Sequence, residues 1–308
     1  MTGPVPPPRV TAVRVHPVEL VHDPPLVTGA GVRRGREGML VELVDETGRS
    51  GWGEASPLPG WGDPVDVTRR ALGEVTPDGV GEALGPAGSL TRHRFARAGI
   101  DVAWHDLTAR RAGVPLWLHL GGVTPRVAVN ALVDAADPEA AGEAAARAVA
   151  AGHTWVKVKV GAAPAPVDVA RVRAVRAAAG DAVGLRLDAN RAWDLDTAVG
   201  VLGAVADLHV SYCEEPVAAP GAFAEVARRT GIPVALDETL SDAEAAARVD
   251  ELVDAGGIAA IVCKPQPLGG VTPTLALATW ARARGLEVVI SAFLDTAVGV
   301  TAAAHLAA

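Results

Sequence analysis

Lysine is nearly absent from this chain. Of 308 residues only Lys157, Lys159 and Lys264 are lysines, against 25 arginines. Arginine stays protonated in proteins and cannot serve as a base, whereas a buried lysine can. All three lysines lie in or just after apolar, strand-like runs, which points to work that arginine cannot perform. Cysteine is almost as scarce. Cys213 and Cys263 both sit in apolar runs, as reduced core thiols do, and two such residues exclude a disulfide framework. An excess of positive charge is missing as well. A net charge of -8 argues against a nucleic-acid partner and against an anionic membrane surface. No apolar run reaches the length needed to span a bilayer. The opening MTGPVPPPRV lacks the charged-then-apolar order of a secretory signal, so a cytoplasmic location is expected.

What is present has the balance of an ordinary globular protein, with 49% hydrophobic and 21% charged residues. The length suits one large barrel-type domain with a smaller attachment. Residues 9–22, 38–45 and 50–55 read as antiparallel strands, and 66–75 and 92–112 as helices, the second ending at Gly113 with Pro115 just beyond. After Gly121 and Gly122 the pattern changes. Apolar strand runs at 127–133, 155–160, 183–190, 208–215, 233–238, 258–264 and 287–293 alternate with Ala-rich helical stretches such as 138–151, 167–179 and 241–255. Such units predict a parallel β/α barrel. The expected organisation is an α+β domain over 1–120, including a linking helix, and a barrel over 121–308. Seven barrel strands can be counted, and the eighth is expected to be missing from the sequence given.

Ionisable residues collect at the ends of successive barrel strands. Lys157 and Lys159 flank Val158 and so share one strand face. Asp188 ends the next strand, Glu214 or Glu215 the one after, Asp237 or Glu238 the next, and Lys264 the following one. In a β/α barrel these ends converge on one mouth, where active sites sit. Three converging carboxylates repel one another unless a cation lies between them. They are hard oxygen ligands with no histidine or cysteine placed to join them, so magnesium is the expected ion, with manganese as an alternative. A lysine beside that ion has its ammonium form disfavoured and can act as a base towards a small-molecule carboxylate substrate.

At this point the chain resembles a known family. VKVKVG, RLDANRAWD, YCEEP, LDETL, VCKPQPLGG and SAFLDTAVG follow the motif order of the enolase superfamily, and most closely that of the short, actinobacterial o-succinylbenzoate synthases of menaquinone biosynthesis. ARAGIDVAWHDLTARRAGVPLWLHLGG is similar to the helix joining capping domain to barrel in that group. The resemblance implies an α/β fold, a (β/α)7β TIM-like barrel with an α+β capping domain. It implies Lys159 as catalytic base and Lys264 as the lysine across the site that stabilises an enediolate. Asp188, Glu214 and Asp237 match the magnesium ligands, with Glu215 and Glu238 as second choices. Lys157 would support the ring and the substrate carboxylate. Arg186, Asn190 and Ser291 are further candidates for substrate binding or for supporting the ligands. The segment Val27 to Arg36 reads as loop-like, resembles a mobile capping loop, and carries arginines expected to be solvated. Trp52, between Gly51 and Gly53, resembles part of a second capping loop.

The implied reaction is a syn dehydration by an o-succinylbenzoate synthase, a carbon–oxygen lyase. An N-acylamino acid racemase or dipeptide epimerase uses the same two lysines, one on each face of the substrate, and stands as the alternative. A Schiff-base aldolase needs no carboxylate ring, and a non-catalytic barrel would have a broken one. The sequence leaves the oligomeric state open and is compatible with a monomer.

Overall fold

The computed structural model describes residues 6–28 and 31–308. It divides into two compact units. The first comprises residues 1–127, 263–281 and 289–308. Its sheet is antiparallel, with β1 (Val10–Thr28), β2 (Gly31–Asp45) and β3 (Ser50–Ala55) in that order. Register pairs Met39 with Ala55, Val41 with Gly53 and Leu43 with Gly51. Alternation therefore turns one bulky and one small column towards the same face. The helix Arg94–Ala112 packs there through Ala96, Ile100, Ala103 and Leu107, all buried with Met39, Val41 and Leu43. A Cβ on Gly53 would lie 2.0 Å from the carbonyl oxygen of Gly99, so glycine is what lets helix and sheet touch. The helix ends at Gly113, whose φ of 71° is left-handed. The helices Val271–Arg282 and Ala297–Ala307 complete this unit through Val271, Ala302 and Val102.

The expected loop over 27–36 is largely a hairpin arm. Val27 pairs with Val32 and Thr28 with Gly31, and residues 29 and 30 lie outside the described residues. Pro24 and Pro25 interrupt the strand pattern in the sequence, but they fall where the ladder shifts register between Val21 and Leu26. A proline without a backbone donor is tolerated at such an irregularity. Arg36 also departs from expectation. It is buried, and its guanidinium donates to the carbonyls of Phe293 and Leu294 at 2.5 and 2.7 Å. Arg34 is exposed, as expected.

The second unit comprises residues 128–262 and 282–288. The parallel strands β4 (Ala131–Val133), β5 (Trp155–Lys159), β6 (Gly184–Asp188), β7 (Val210–Glu214), β8 (Val234–Leu236) and β9 (Ile258–Cys263) lie side by side in chain order. β10 (Glu287–Ile290) extends the sheet to seven strands. Helices return the chain between them, started by recognisable caps. Asp137 accepts from Ala140 N at 2.9 Å ahead of Pro138–Ala150, and Asp194 from Thr197 N at 2.8 Å ahead of Leu195–Ala204. The single helix expected over 241–255 is broken into Ala243–Ala246 and Val249–Asp254. Extended Asp242 starts the first, accepting from Glu244 N at 3.0 Å, and Arg248 leaves helical geometry before the second.

Candidate active site

Register gathers the site before any side chain is considered. Lys159, Asp188 and Glu214 are direct neighbours across β5, β6 and β7. Two residues earlier, Lys157, Arg186 and Tyr212 form the adjacent row. With a period of two, both rows face the same side of the sheet. Asp237 follows β8 and is buried, as are Asp188 and Glu214.

The ammonium of Lys157 rises between the two rows. It donates to Asp188 Oδ2 at 2.9 Å and to Glu214 Oε1 and Oε2 at 3.2 and 3.0 Å. Lys159 donates to the same Asp188 Oδ2 at 2.6 Å and to Asn190 Oδ1 at 2.7 Å. Its side chain keeps 35% of its exposure, twice the 17% of Lys157. Lys159 is therefore the more open of the two, and Lys157 is held by both carboxylates. Asn190 has a left-handed φ of 43°. That turn lets its backbone N–H reach Asp188 Oδ1 at 3.1 Å while its Nδ2 donates to Glu238 Oε1 at 2.9 Å.

The electrostatics differ from one member of the cluster to the next. Burial disfavours the Lys157 ammonium, but the charges of Asp188 and Glu214 outweigh it and hold its pKa above the usual lysine range. Burial works against the Asp188 carboxylate too, and the two lysines overcome it, drawing its pKa well below the usual carboxylate range. Glu214 goes the other way. Burial first, then the charge of Asp188, with Asp237 adding, push it up to about 8 against the pull of Lys157.

The donor chemistry of the three acids suits a further cation. Asp188, Glu214 and Asp237 offer hard oxygen donors from three neighbouring strand ends, the chemistry that magnesium takes. Two of them already share a cation, the Lys157 ammonium. Among the described residues, no three His, Cys, Asp or Glu side chains are already gathered as a ready-made ion site.

The other candidates fall elsewhere. Arg186 turns away from the carboxylates. It donates to Asn130 Oδ1 at 3.0 Å, pairs with Glu287, and lies 4.0 and 5.0 Å from the rings of Trp155 and Tyr212. Glu215 is wholly buried and taken up by hydrogen bonds to Asp237 N, Thr239 and Arg191. In the first unit, Lys264 follows β9 directly, and its ammonium lies 4.7 Å from the Trp61 ring and 6.0 Å from that of Phe293. Ser291 follows β10; its N–H donates to Cys263 O at 2.9 Å and its hydroxyl to Ala292 O. Trp52 packs on His16, and its N–H donates to Asp106. Sequence reasoning missed Arg191, Thr239 and Trp61. The first two stand beside flagged residues, in RLDANR and LDET, but nothing in their spacing marks a partner.

Two family models cover most of the chain. The N-terminal domain of mandelate racemase / muconate lactonizing enzyme matches residues 9–121, and the enolase C-terminal domain-like model matches residues 139–308. A hydrophobic dipeptide epimerase from Enterococcus faecalis is 30% identical over 292 residues, covering 90% of this chain and 81% of its own. An o-succinylbenzoate synthase from Thermobifida fusca is 43% identical over 189 residues, but this covers only 60% of this chain and 56% of the synthase. The crystal structure of the dipeptide epimerase from Enterococcus faecalis, complexed with Mg and L-Leu-L-Tyr, matches with a TM-score of 0.84 at 27% identity, over 97% of this chain and 86% of that one. The chain thus belongs to the enolase superfamily, with the paired N- and C-terminal domains of its mandelate racemase / muconate lactonizing enzyme branch.

Proposed function

We propose that this chain is a magnesium-dependent o-succinylbenzoate synthase of menaquinone biosynthesis. It would dehydrate 2-succinyl-6-hydroxy-2,4-cyclohexadiene-1-carboxylate with syn geometry. The observation that carries the reaction class is the row of Lys159, Asp188 and Glu214 on adjacent strands, with Lys157 bridging its two acids. Dehydration is supported by the 43% identity to the synthase, over the 60% of the chain that this alignment covers.

In this reading Asp188, Glu214 and Asp237 hold the ion. When bound, magnesium supplies positive charge against the substrate carboxylate and the negative charge that builds beside it. Lys159 acts as the base that takes the proton from the carbon next to the carboxylate. The same lysine then returns that proton to the departing hydroxyl, so water leaves and the ring becomes aromatic. Lys264 is assigned the stabilisation of the developing negative charge. Lys157 keeps the two acids apart and oriented. The seven-stranded sheet is the wall of a β/α barrel that brings these strand ends to one mouth, in a cytoplasmic enzyme.

The test is to follow aromatisation of the cyclohexadiene by ultraviolet absorbance with Mg²⁺, alongside samples with EDTA, Lys159→Ala or Lys264→Ala. Turnover should fall by at least about a hundredfold in each, as for loss of a general base or of a charge-stabilising group. An intact, ion-loaded protein without turnover overturns the synthase reading. The second reading, a dipeptide epimerase or N-acylamino acid racemase, rests on the nearly full-length epimerase alignment. Deuterium exchange from solvent into the α-carbon of N-succinyl amino acids or dipeptides, without dehydration of the diene, would select it.

A further inference from the structure

Glu215 sits beside Glu214 in the chain but serves a different purpose. Its φ of 40° is left-handed, a conformation non-glycine residues rarely adopt. The turn is held at both ends. Glu215 N donates to Ala235 O at 3.1 Å, and Arg191 N donates to Glu215 O at 2.7 Å. As a result the side chain points back into the loops rather than along the row of Lys159, Asp188 and Glu214.

All four acceptor positions of that buried carboxylate are filled. Oε1 accepts from the backbone N–H of Asp237 at 2.8 Å and of Thr239 at 2.9 Å. Oε2 accepts from Arg191 Nε at 2.8 Å and from the Thr239 hydroxyl at 2.9 Å. Arg191 Nη2 then donates to Thr239 Oγ1 at 3.0 Å, which closes the circuit. A carboxylate has about four lone-pair sites, so Glu215 has none left for an ion.

What the circuit joins is specific. Arg191 lies three residues after Asp188, Glu215 next to Glu214, and the Asp237 amide belongs to the third acid itself. One carboxylate therefore ties together the three loops that carry the three acids. Ions bind tightly where ligands are fixed beforehand, and partners behind the ligands do the fixing.

We propose that Glu215 is the positioning residue that presets Asp188, Glu214 and Asp237 for a divalent ion, with Arg191 and Thr239 as its arms. The inference rests on the proposed ion ligands, and it predicts an effect on affinity that a merely structural brace would not produce.

The experiment measures Mn²⁺ affinity of the intact chain by the paramagnetic resonance of free Mn²⁺, with circular dichroism and melting recorded on the same samples. Glu215→Gln places an amide N–H₂ against Arg191 or against the Asp237 amide. Thr239→Val keeps the shape of the side chain and loses its hydroxyl, while Thr239→Ser keeps the hydroxyl. Arg191→Met removes one arm from a quarter-exposed side chain. Glu215→Gln, Thr239→Val and Arg191→Met should each weaken Mn²⁺ binding by about 10- to 100-fold, the range for lost partners behind metal ligands. Thr239→Ser should retain the parent affinity. Folded Thr239→Val and Arg191→Met proteins with parent affinity overturn the proposal, even where Glu215→Gln does not fold. If the parent chain binds no Mn²⁺, the ion reading fails and the positioning role with it. If the parent binds and the variants match it, the positioning role alone fails.

Discussion

Asp295 shows how one buried group can set a pH dependence. In the first unit, the Glu54 carboxylate caps the helix Ala297–Ala307. It accepts from Thr296 N at 3.0 Å, from the Thr296 hydroxyl at 2.5 Å, from Gly299 N at 3.0 Å, and from the Ser56 hydroxyl. A negative group at a helix N-terminus is favoured by the unpaired amides there. Asp295 stands next to it, and Phe293 N donates to one of its oxygens at 2.8 Å. Burial, and then the charge of Glu54, push Asp295 from 3.8 up to about 6. Because this folded pKa lies above the unfolded one, the native state holds the proton more tightly. Stability from this group is fully present below about pH 3.8 and is lost as pH rises through 6. A shift of that size corresponds to at most about 3 kcal/mol. Asp295→Asn, which keeps an oxygen for Phe293 N, should match the parent near pH 4 and melt several degrees higher near pH 7.5. Equal melting temperatures for the two proteins at both pH values would show that Asp295 is not held protonated.

Between elements, the tightest constraint is the contact of β3 with the helix Arg94–Ala112. A Cβ at Gly53 would meet Gly99 O at 2.0 Å and Ala103 N at 2.7 Å, both backbone atoms of the helix. Backbone cannot rotate aside as a side chain can. Gly53→Ala should therefore lower the free energy of unfolding by roughly 3 kcal/mol, the upper end for overpacking. Gly200, within the helix Leu195–Ala204, has open space around it. Gly200→Ala should stabilise by about 0.5–1 kcal/mol through helix propensity. Denaturant midpoints of both variants check the pair, and a Gly53→Ala protein as stable as the parent would contradict the packing. The sequence carried the existence of these elements well, because helix and strand periodicities are local. Val41 and Leu43 alternate visibly, and Gly113 marks a helix end. It did not carry the hairpin arm beyond Val21, because Pro24 and Pro25 are neutralised only by a register shift with the partner strand. The break at Arg248 was equally hidden within an Ala-rich run of good helix formers.

At the scale of the whole molecule, the candidate ring was legible for a topological reason. Lys159, Asp188, Glu214 and Asp237 are far apart in the chain, but each closes a strand, and a parallel sheet in chain order brings such ends together. What the sequence could not show is which acids remain available. Glu214 and Glu215 are the same residue type in adjacent positions, and only a left-handed turn at Glu215, set by partners on two other loops, separates their roles. The same topology supplies a thermodynamic test. In the unfolded chain Asp188, Glu214 and Asp237 are scattered, so an ion that binds all three binds the native state alone. Binding then stabilises by RT ln(1 + [L]/Kd), about 2.7 kcal/mol at a hundredfold excess over Kd. Mg²⁺ or Mn²⁺ should accordingly raise the melting temperature by a few degrees. Asp188→Asn should abolish that rise, because it removes the acid that Lys157 and Lys159 both contact. Lys157→Met should behave differently. Losing the bridging ammonium leaves Glu214 and Asp188 without their shared cation, so the metal-free protein should melt lower while the gain on adding ion grows. A melting temperature indifferent to both ions in the parent chain would mean that the three acids do not form an ion site.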